Sequence, residues 1–377
     1  MAITNIAYPS GTPTVQDNLW HIFSSNMTAS TDFKYVVDLY TNGTQQVRVK
    51  IFPEPSTSKG YFDAASVIRN TMTYEWLTPK EEILMCEPNA SGQIAQTYSY
   101  RIGEEYSGVT YLNLVSGNIT AYNWVAPLFK RKVSDISAYS GKVLTNRPSI
   151  INSVLGESIY MPAMDVSGLT VKTYDTTNTL VTSLDISLGS TKAFPQLNIG
   201  SDAINLVSAI IGTSTKYYTV KIGASLITVN LDCNPKYQSY NLHFMNHLGM
   251  FDTARFGLAS KLNMEVTRKG FEKRDYSFGA SSVNYFDATN KYLSSKVNYL
   301  NKKDHSFKLT MEAPTDEEYQ WLAELIDSPQ IYFELDGYFY PVSLKAPNYE
   351  YSTYVNNRLR VFEVEIDLNQ TRYSQLR

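Results

Sequence analysis

Two histidines raise the first chemical question. The stretch "LHFMNHLGMFDTARF", residues 242–256, sets His243 and His247 four positions apart. On a helix both imidazoles would share one face and could begin a zinc site. Zinc needs a third protein ligand, for which Asp252 is the candidate, and usually carboxylates behind the imidazoles. The motif is not HExxH, because Phe244 stands where the catalytic glutamate would be. The local pattern also argues against a long helix. "YNLHF" alternates as a strand does, and "NHLGMFD" reads as a turn about Gly249, which would send the two rings apart. The expectation is a structural turn built by Asn246, Gly249, Phe251 and Asp252, with no metal. Gly249 permits an unusual backbone conformation, Phe251 anchors the turn, and Asn246 or Asp252 satisfies nearby amides.

Other chemistry finds no better footing. No Gly-rich phosphate loop ending in Gly-Lys-Ser/Thr and no Gly-x-Ser-x-Gly elbow is present. "FGASSV", residues 278–283, holds serines without elbow geometry and reads as a loop. Adjacent acids occur at Glu81-Glu82, Glu104-Glu105 and Glu317-Glu318. Neighbours on a strand point to opposite faces, whereas glycoside hydrolysis needs two carboxyls held across one cleft. Trp20, Trp76, Trp124 and Trp321 could stack on sugars, although Trp321 lies beside an apolar helical stripe and is expected to pack. The chain is read as non-enzymatic and without a cofactor, with a hydrolase ranked last.

Composition narrows the partners. The 377 residues carry a net charge of −3, and the one basic cluster, Lys130-Arg131-Lys132, is too short for a nucleic-acid footprint. Cys86 and Cys233 stand far apart and suggest neither a zinc ribbon nor a disulfide framework. The opening residues lack a basic stretch followed by an apolar one, so no secretory signal is expected, and the sequons at Asn26 and Asn118 then carry no weight. The longest apolar run, around "INLVSAIIG", is far shorter than a membrane span. Tyrosine is in surplus at 29 residues. That surplus fits many half-buried strands and broad contact surfaces equally well, since the ring is apolar and its tip polar.

Strand signals dominate the elements that must position these residues. Residues 34–52 hold two runs of β-formers around Asn42-Gly43, the strongest short-range hairpin signal. A short helix is expected over 64–71 with Asp63 as its cap, and another over 201–212, capped by Ser201 and closed by Gly212. Strands are expected in "AQTYSYRIGEEYS", "VTYLNLVSG" and "NITAYNWVAPLF", and in "LTVKTYDTTNTLVTSLDISLG" and "KYYTVKIGASLITVNLD". In the last third, Thr315 and Glu318 form a capping box opening a helix over 315–327 with a stripe of Tyr319, Leu322, Leu325 and Ile326. A hairpin about Asp336-Gly337 follows. The final strand, within 358–368, alternates Phe362, Val364, Ile366 and Leu368 against acids. No internal repeat is evident. The fold class is mainly β, as multi-domain β-sandwiches: 1–138 an N-terminal sandwich, 139–240 a middle β domain, and 241–377 a C-terminal β domain with one flanking helix.

Three stretches resemble structural proteins of tailed bacteriophages, notably a group common in phages of Bacteroidota. They are the opening "DNLWHIFSSNMTASTDFKYVVDLYTNG", the Asn-x-x-Gly-x-Phe-Asp element at Asn246, Gly249, Phe251 and Asp252, and the closing "WLAELIDSPQIYFELDGYFYPV". The last is similar to tail-tube and distal-tail domains, in which a β-sandwich or β-barrel with a flanking helix oligomerises into a ring. Residues of roughly 140–235 lie outside the likeness. The resemblance implies a virion tail protein of the baseplate, hub or connector, assembled in the host cytoplasm. Its partners would be copies of itself in a ring and other tail proteins, with no nucleic-acid recognition and no membrane. The alternative is a carbohydrate-binding adhesin whose partner is a host surface glycan.

Overall fold

A computed structural model describes residues 3–73, 82–86, 94–115, 117–125, 136–232, 234–312, 315–345, 361–369 and 372–373. Trp76, Glu81, Cys233, the basic cluster 130–132 and the first three residues of the expected last strand, 358–360, lie outside the described residues. The fold is mainly β, built from several sheets with a few short helices. The chain forms two compact units, one of residues 1–234, 243–253 and 327–329, the other of 235–242, 254–326 and 330–377.

In the first unit the Asn-Gly hairpin is present. Lys34–Thr41 pairs antiparallel with Thr44–Ile51, and the turn carries positive φ at Asn42 (49°) and Gly43 (76°). Positive φ at both central residues defines the turn whose twist matches its strands. Lys34–Thr41 also pairs with Ala95–Tyr106, which in turn pairs with Val109–Val115 and Ile119–Tyr122. A second sheet joins Thr4–Ala7, Trp20–Ser24 and Gly60–Asp63. Phe23, Tyr35, Val37, Leu39, Tyr98 and Ile102 are buried in one core with Ile68 of the helix Ala65–Thr71. That helix starts one residue later than expected. Asp63 still serves it, because its Oδ1 accepts from the Ala65 amide at 3.0 Å and the Leu19 amide at 2.8 Å.

The same unit holds a second core, in the expected middle domain. A five-stranded sheet runs Ile150–Val154, Ser225–Asp232, Tyr217–Ile222, Val166–Tyr174, Leu180–Lys192. Its first pair is parallel and the rest antiparallel. A four-stranded sheet runs Lys142–Val143, Tyr160–Met164, Gln196–Asn198, Leu84–Cys86. Residues 1–138 thus share one unit with 139–234 of the expected middle domain, and Leu84–Cys86 pairs with a strand of the middle region. Ile94, Trp124, Leu144, Phe194, Leu248 and Met250 form a third buried cluster.

The helix expected over 201–212 is shorter, spanning Ser201–Val207 with Gly200 at its cap position. Asn205 ends it: its side chain donates to the Ile211 carbonyl at 2.8 Å and accepts from the Ile211 amide at 3.0 Å, folding the chain back. Ser201 does not cap; its hydroxyl accepts from the Gly156 amide.

In the second unit Ile331–Leu335, Tyr338–Leu344, Val361–Asp367, Lys296–Glu312 and Lys261–Glu272 form successive neighbours in a sheet. Phe362, Val364 and Ile366 are buried, and Asp336 and Gly337 take positive φ in the hairpin turn. The Thr315 hydroxyl accepts from the Glu318 amide at 3.1 Å, capping the helix Asp316–Trp321, after which a second turn of helix, Ala323–Ile326, follows. Trp321, Leu322 and Leu325 are buried.

Candidate functional site

The turn that opened the question is held from several directions within the first unit. His243 lies on the strand Tyr240–Met245, wholly buried, with Nδ1 2.9 Å from the Thr253 hydroxyl and its ring 4.6 Å from that of Tyr160. His247 lies in the turn, its Nε2 2.9 Å from an Asp327 carboxylate oxygen. Each imidazole is engaged by a different group, so the four-residue spacing does not bring them together. Among the described residues no three His, Cys, Asp or Glu side chains are placed to hold a metal.

The four turn residues do separate jobs. Asn246 Oδ1 accepts from the Leu248 and Met250 amides at 3.0 and 3.1 Å, while its Nδ2 donates to the Leu144 carbonyl at 3.0 Å. Gly249 has φ +78°, and a Cβ there would sit 2.4 Å from the Asn123 carbonyl oxygen. The backbone of Phe251 is read by the Gln196 amide, which donates to its carbonyl at 2.8 Å and accepts from its N–H at 3.3 Å. Asp252, wholly buried, accepts from the Thr145 hydroxyl at 2.5 Å. Arg147 donates to the Thr253 carbonyl at 2.7 Å. Thr145, Arg147 and Gln196 are absent from any sequence-based expectation. They lie 107, 106 and 55 residues from the groups they serve. No local signal connects such positions. The arrangement engages most of the buried polar groups of the turn through side chains distant in sequence, which fixes its geometry.

Another buried histidine stands in the N-terminal core. His21 has its Nε2 3.1 Å from the Tyr98 hydroxyl and its ring 4.2 Å from that of Tyr100. Burial lowers its pKa from 6.5 to about 4, with Asp63 opposing the shift. Of the adjacent acids, Glu104 is buried and accepts from Ser25, whereas Glu105 is ion-paired with Lys50 at 2.7 Å. They point apart, as strand neighbours must. Trp124 and Trp321 are buried, and Trp20 is half exposed.

The second unit carries a feature that sequence reasoning missed. Lys261–Glu272 and Lys296–Glu312 form a ladder from Lys261↔Lys308 to Glu272↔Lys296. Twelve residues of strand reach roughly 40 Å at about 3.4 Å each. The base of this ribbon is anchored, since Ser306 to Glu312 also pair with Val361–Asp367. Farther out, among the described residues, only Arg372–Tyr373 pairs with it, at Lys302 and Lys303. "FGASSV", expected as a loop, forms a small hairpin of Ser277–Phe278 against Val283–Asn284 near the tip. The tip is tiled with aromatic contacts, Tyr276 on Phe278 at 5.3 Å and Phe286 on Tyr292 at 4.3 Å, yet Phe278 is 69% and Tyr292 78% exposed. Leu262, Met264, Phe271 and Tyr299 along the stem are exposed as well. Residues 261–312 are called the arm below.

No family model and no curated protein matches the sequence. Among solved structures, the crystal structure of chicken CNTN1 FN1–FN3 domains is similar at 11% identity, over 60% of this chain and 66% of that one, with a TM-score of 0.19. The BSP domain of a biofilm associated protein is similar at 9% identity, over 81% of this chain and 63% of that one, with a TM-score of 0.17. The chain thus spans less than two thirds of the length of either solved chain. Scores this low carry no argument about fold or function.

Proposed function

We propose that this chain is a non-enzymatic structural subunit of a bacteriophage tail, at the baseplate, hub or connector, acting by assembly into a homo-oligomeric ring with other tail proteins. The observation that carries the reading is the arm. A two-stranded ribbon is marginal in water, and here almost every side chain of Lys261–Glu272 is exposed, apolar ones included. Several large apolar side chains left exposed on one ribbon fit a surface covered by another molecule. A ring subunit needs such a surface, because a contact between two different patches repeats by rotation until it closes. The resemblance of the opening, the 246–252 element and the closing segment to tail proteins supplies the virion setting.

Negative-stain images and light scattering of the purified full chain at rising concentration test the proposal. Closed rings of uniform diameter are expected. A chain that stays monomeric throughout would contradict the assembly reading. The adhesin reading is favoured by one observation, the exposed aromatic tip, since tyrosine and phenylalanine rings stack on sugars. Saturable glycan-array binding lost in Phe278→Ser and Tyr292→Ser, by a chain that forms no rings, would replace the first reading with the second.

A further inference from the structure

We infer that the arm docks head to tail on the body of a second copy of this chain, its basic stem and tip lying against the acidic remainder of that copy; this rests on the assembly reading above. Charge separates the two partners. Residues 261–312 hold ten Lys and Arg against six Asp and Glu, out of 33 and 36 in the whole chain. The arm therefore carries +4, and the other 325 residues, with 23 cations against 30 anions, carry −7.

Arm against arm would set +4 against +4. Arm against body sets opposite signs together, which speeds encounter and penalises the wrong orientation. The basic residues are placed to act outward. Arg268, Lys269, Lys273, Arg274, Lys291 and Lys296 are all exposed. They are interspersed along the ribbon with exposed Leu262, Met264, Phe271 and Phe278, so one contact would both pair charge and cover apolar surface. An arm meeting a body is a contact between unlike patches, which leaves each copy with one unused arm or one unused acceptor until the ring closes. That polarity is what separates this contact from a symmetric dimer.

The polarity gives a mixing experiment. In a shortened chain, residues 270–299 are replaced by Asn-Gly, which joins Lys269 to its cross-strand partner Leu300 through a two-residue hairpin turn. This chain keeps the acceptor body and loses most of the arm. Native mass spectrometry and sedimentation velocity should find it monomeric alone. Mixed with the full chain, it should enter the assemblies at one end and shorten them. A second variant, R268E/K269E/K273E/R274E, turns the arm from +4 to −4 at four exposed positions. It should keep the thermal melting of the parent and self-associate on the order of tenfold more weakly at low salt, an effect that added salt reduces.

Exclusion of the shortened chain from full-chain assemblies would mean arm-to-arm pairing and would overturn the inference. Self-assembly of the shortened chain into rings would also overturn it while leaving the ring reading standing. A full chain that is monomeric at every concentration, with its arm binding vesicles of anionic lipid, would remove both readings.

Discussion

The buried turn at 246–252 and the arm at 261–312 are opposite uses of irregular or exposed backbone. In the turn, polar groups that leave the regular ladders are received by side chains of the fold. Asn246 serves two amides and a carbonyl, Gln196 reads the backbone of Phe251, and Thr145 reaches Asp252. In the arm beyond its base the two strands pair along a ladder broken once, between Lys269 and Gly270, and many side chains are bare, with Tyr292 78% exposed at the tip. One region is finished within a single chain. The other pairs its two strands and leaves large apolar side chains exposed. The lesson is that a histidine pair with metal-like spacing can sit among separate structural contacts, while a stretch without any motif can carry the most exposed aromatic side chains.

Substitutions can break that contrast, beginning where the effect is greatest. Gly249→Ala should lower stability to urea by about 4 kcal/mol, combining the left-handed backbone cost with displacement of the Asn123 carbonyl. A loss under about 1 kcal/mol would mean that the turn is not held as described. Acid comes next. The unfolded chain takes up a proton on His21 as pH falls below 6.5, whereas the folded chain resists until about pH 4. Stability is therefore full above pH 6.5 and declines by about 3 kcal/mol down to pH 4. His21→Phe should flatten that part of the pH–stability curve, and an unchanged slope would assign it to other groups. Asn246→Ala should cost about 2 kcal/mol by leaving buried amides without their acceptor. Phe278→Ser and Tyr292→Ser should change the unfolding of dilute protein by no more than about 0.5 kcal/mol, since they touch only the arm. A larger effect there would show the tip to be part of a core.

Much of the strand framework was legible where the chemistry is local. Asn42-Gly43 and Asp336-Gly337 declared their hairpins because positive φ at two successive positions has few residue solutions. Thr315 declared its helix because capping is a three-residue affair. The helix at Ser201 was read too long because its end depends on Asn205 reaching Ile211, a side-chain bond that competes with helix but leaves the apolar periodicity intact. The parallel pairing of Ile150–Val154 with Ser225–Asp232 joins strands about 75 residues apart, beyond the reach of any turn signal.

The arm escaped for a different reason. Alternation reveals a strand only when one face is buried, and neither face of Lys261–Glu272 is. Its tip holds a further similarity invisible as a repeat. Asp287-Ala288-Thr289-Asn290 folds as Asp175-Thr176-Thr177-Asn178 does in the first unit. In both, the aspartate accepts from the threonine two residues on and from the amide four residues on, and the asparagine has positive φ. Those hydroxyl and amide donors hold both carboxyls below the usual range. Two loops with the same solution share only three residues, Asp, Thr and Asn, too few to register as a repeat.

Hydrogen–deuterium exchange of the full chain, followed against its own concentration, tests the central contrast most directly. The account predicts that amides of the arm beyond its anchored base, residues 264–305, become protected as concentration rises, while those of 246–252 exchange slowly and equally at every concentration. Exchange in the arm that is independent of concentration, with the protein otherwise folded, would contradict it.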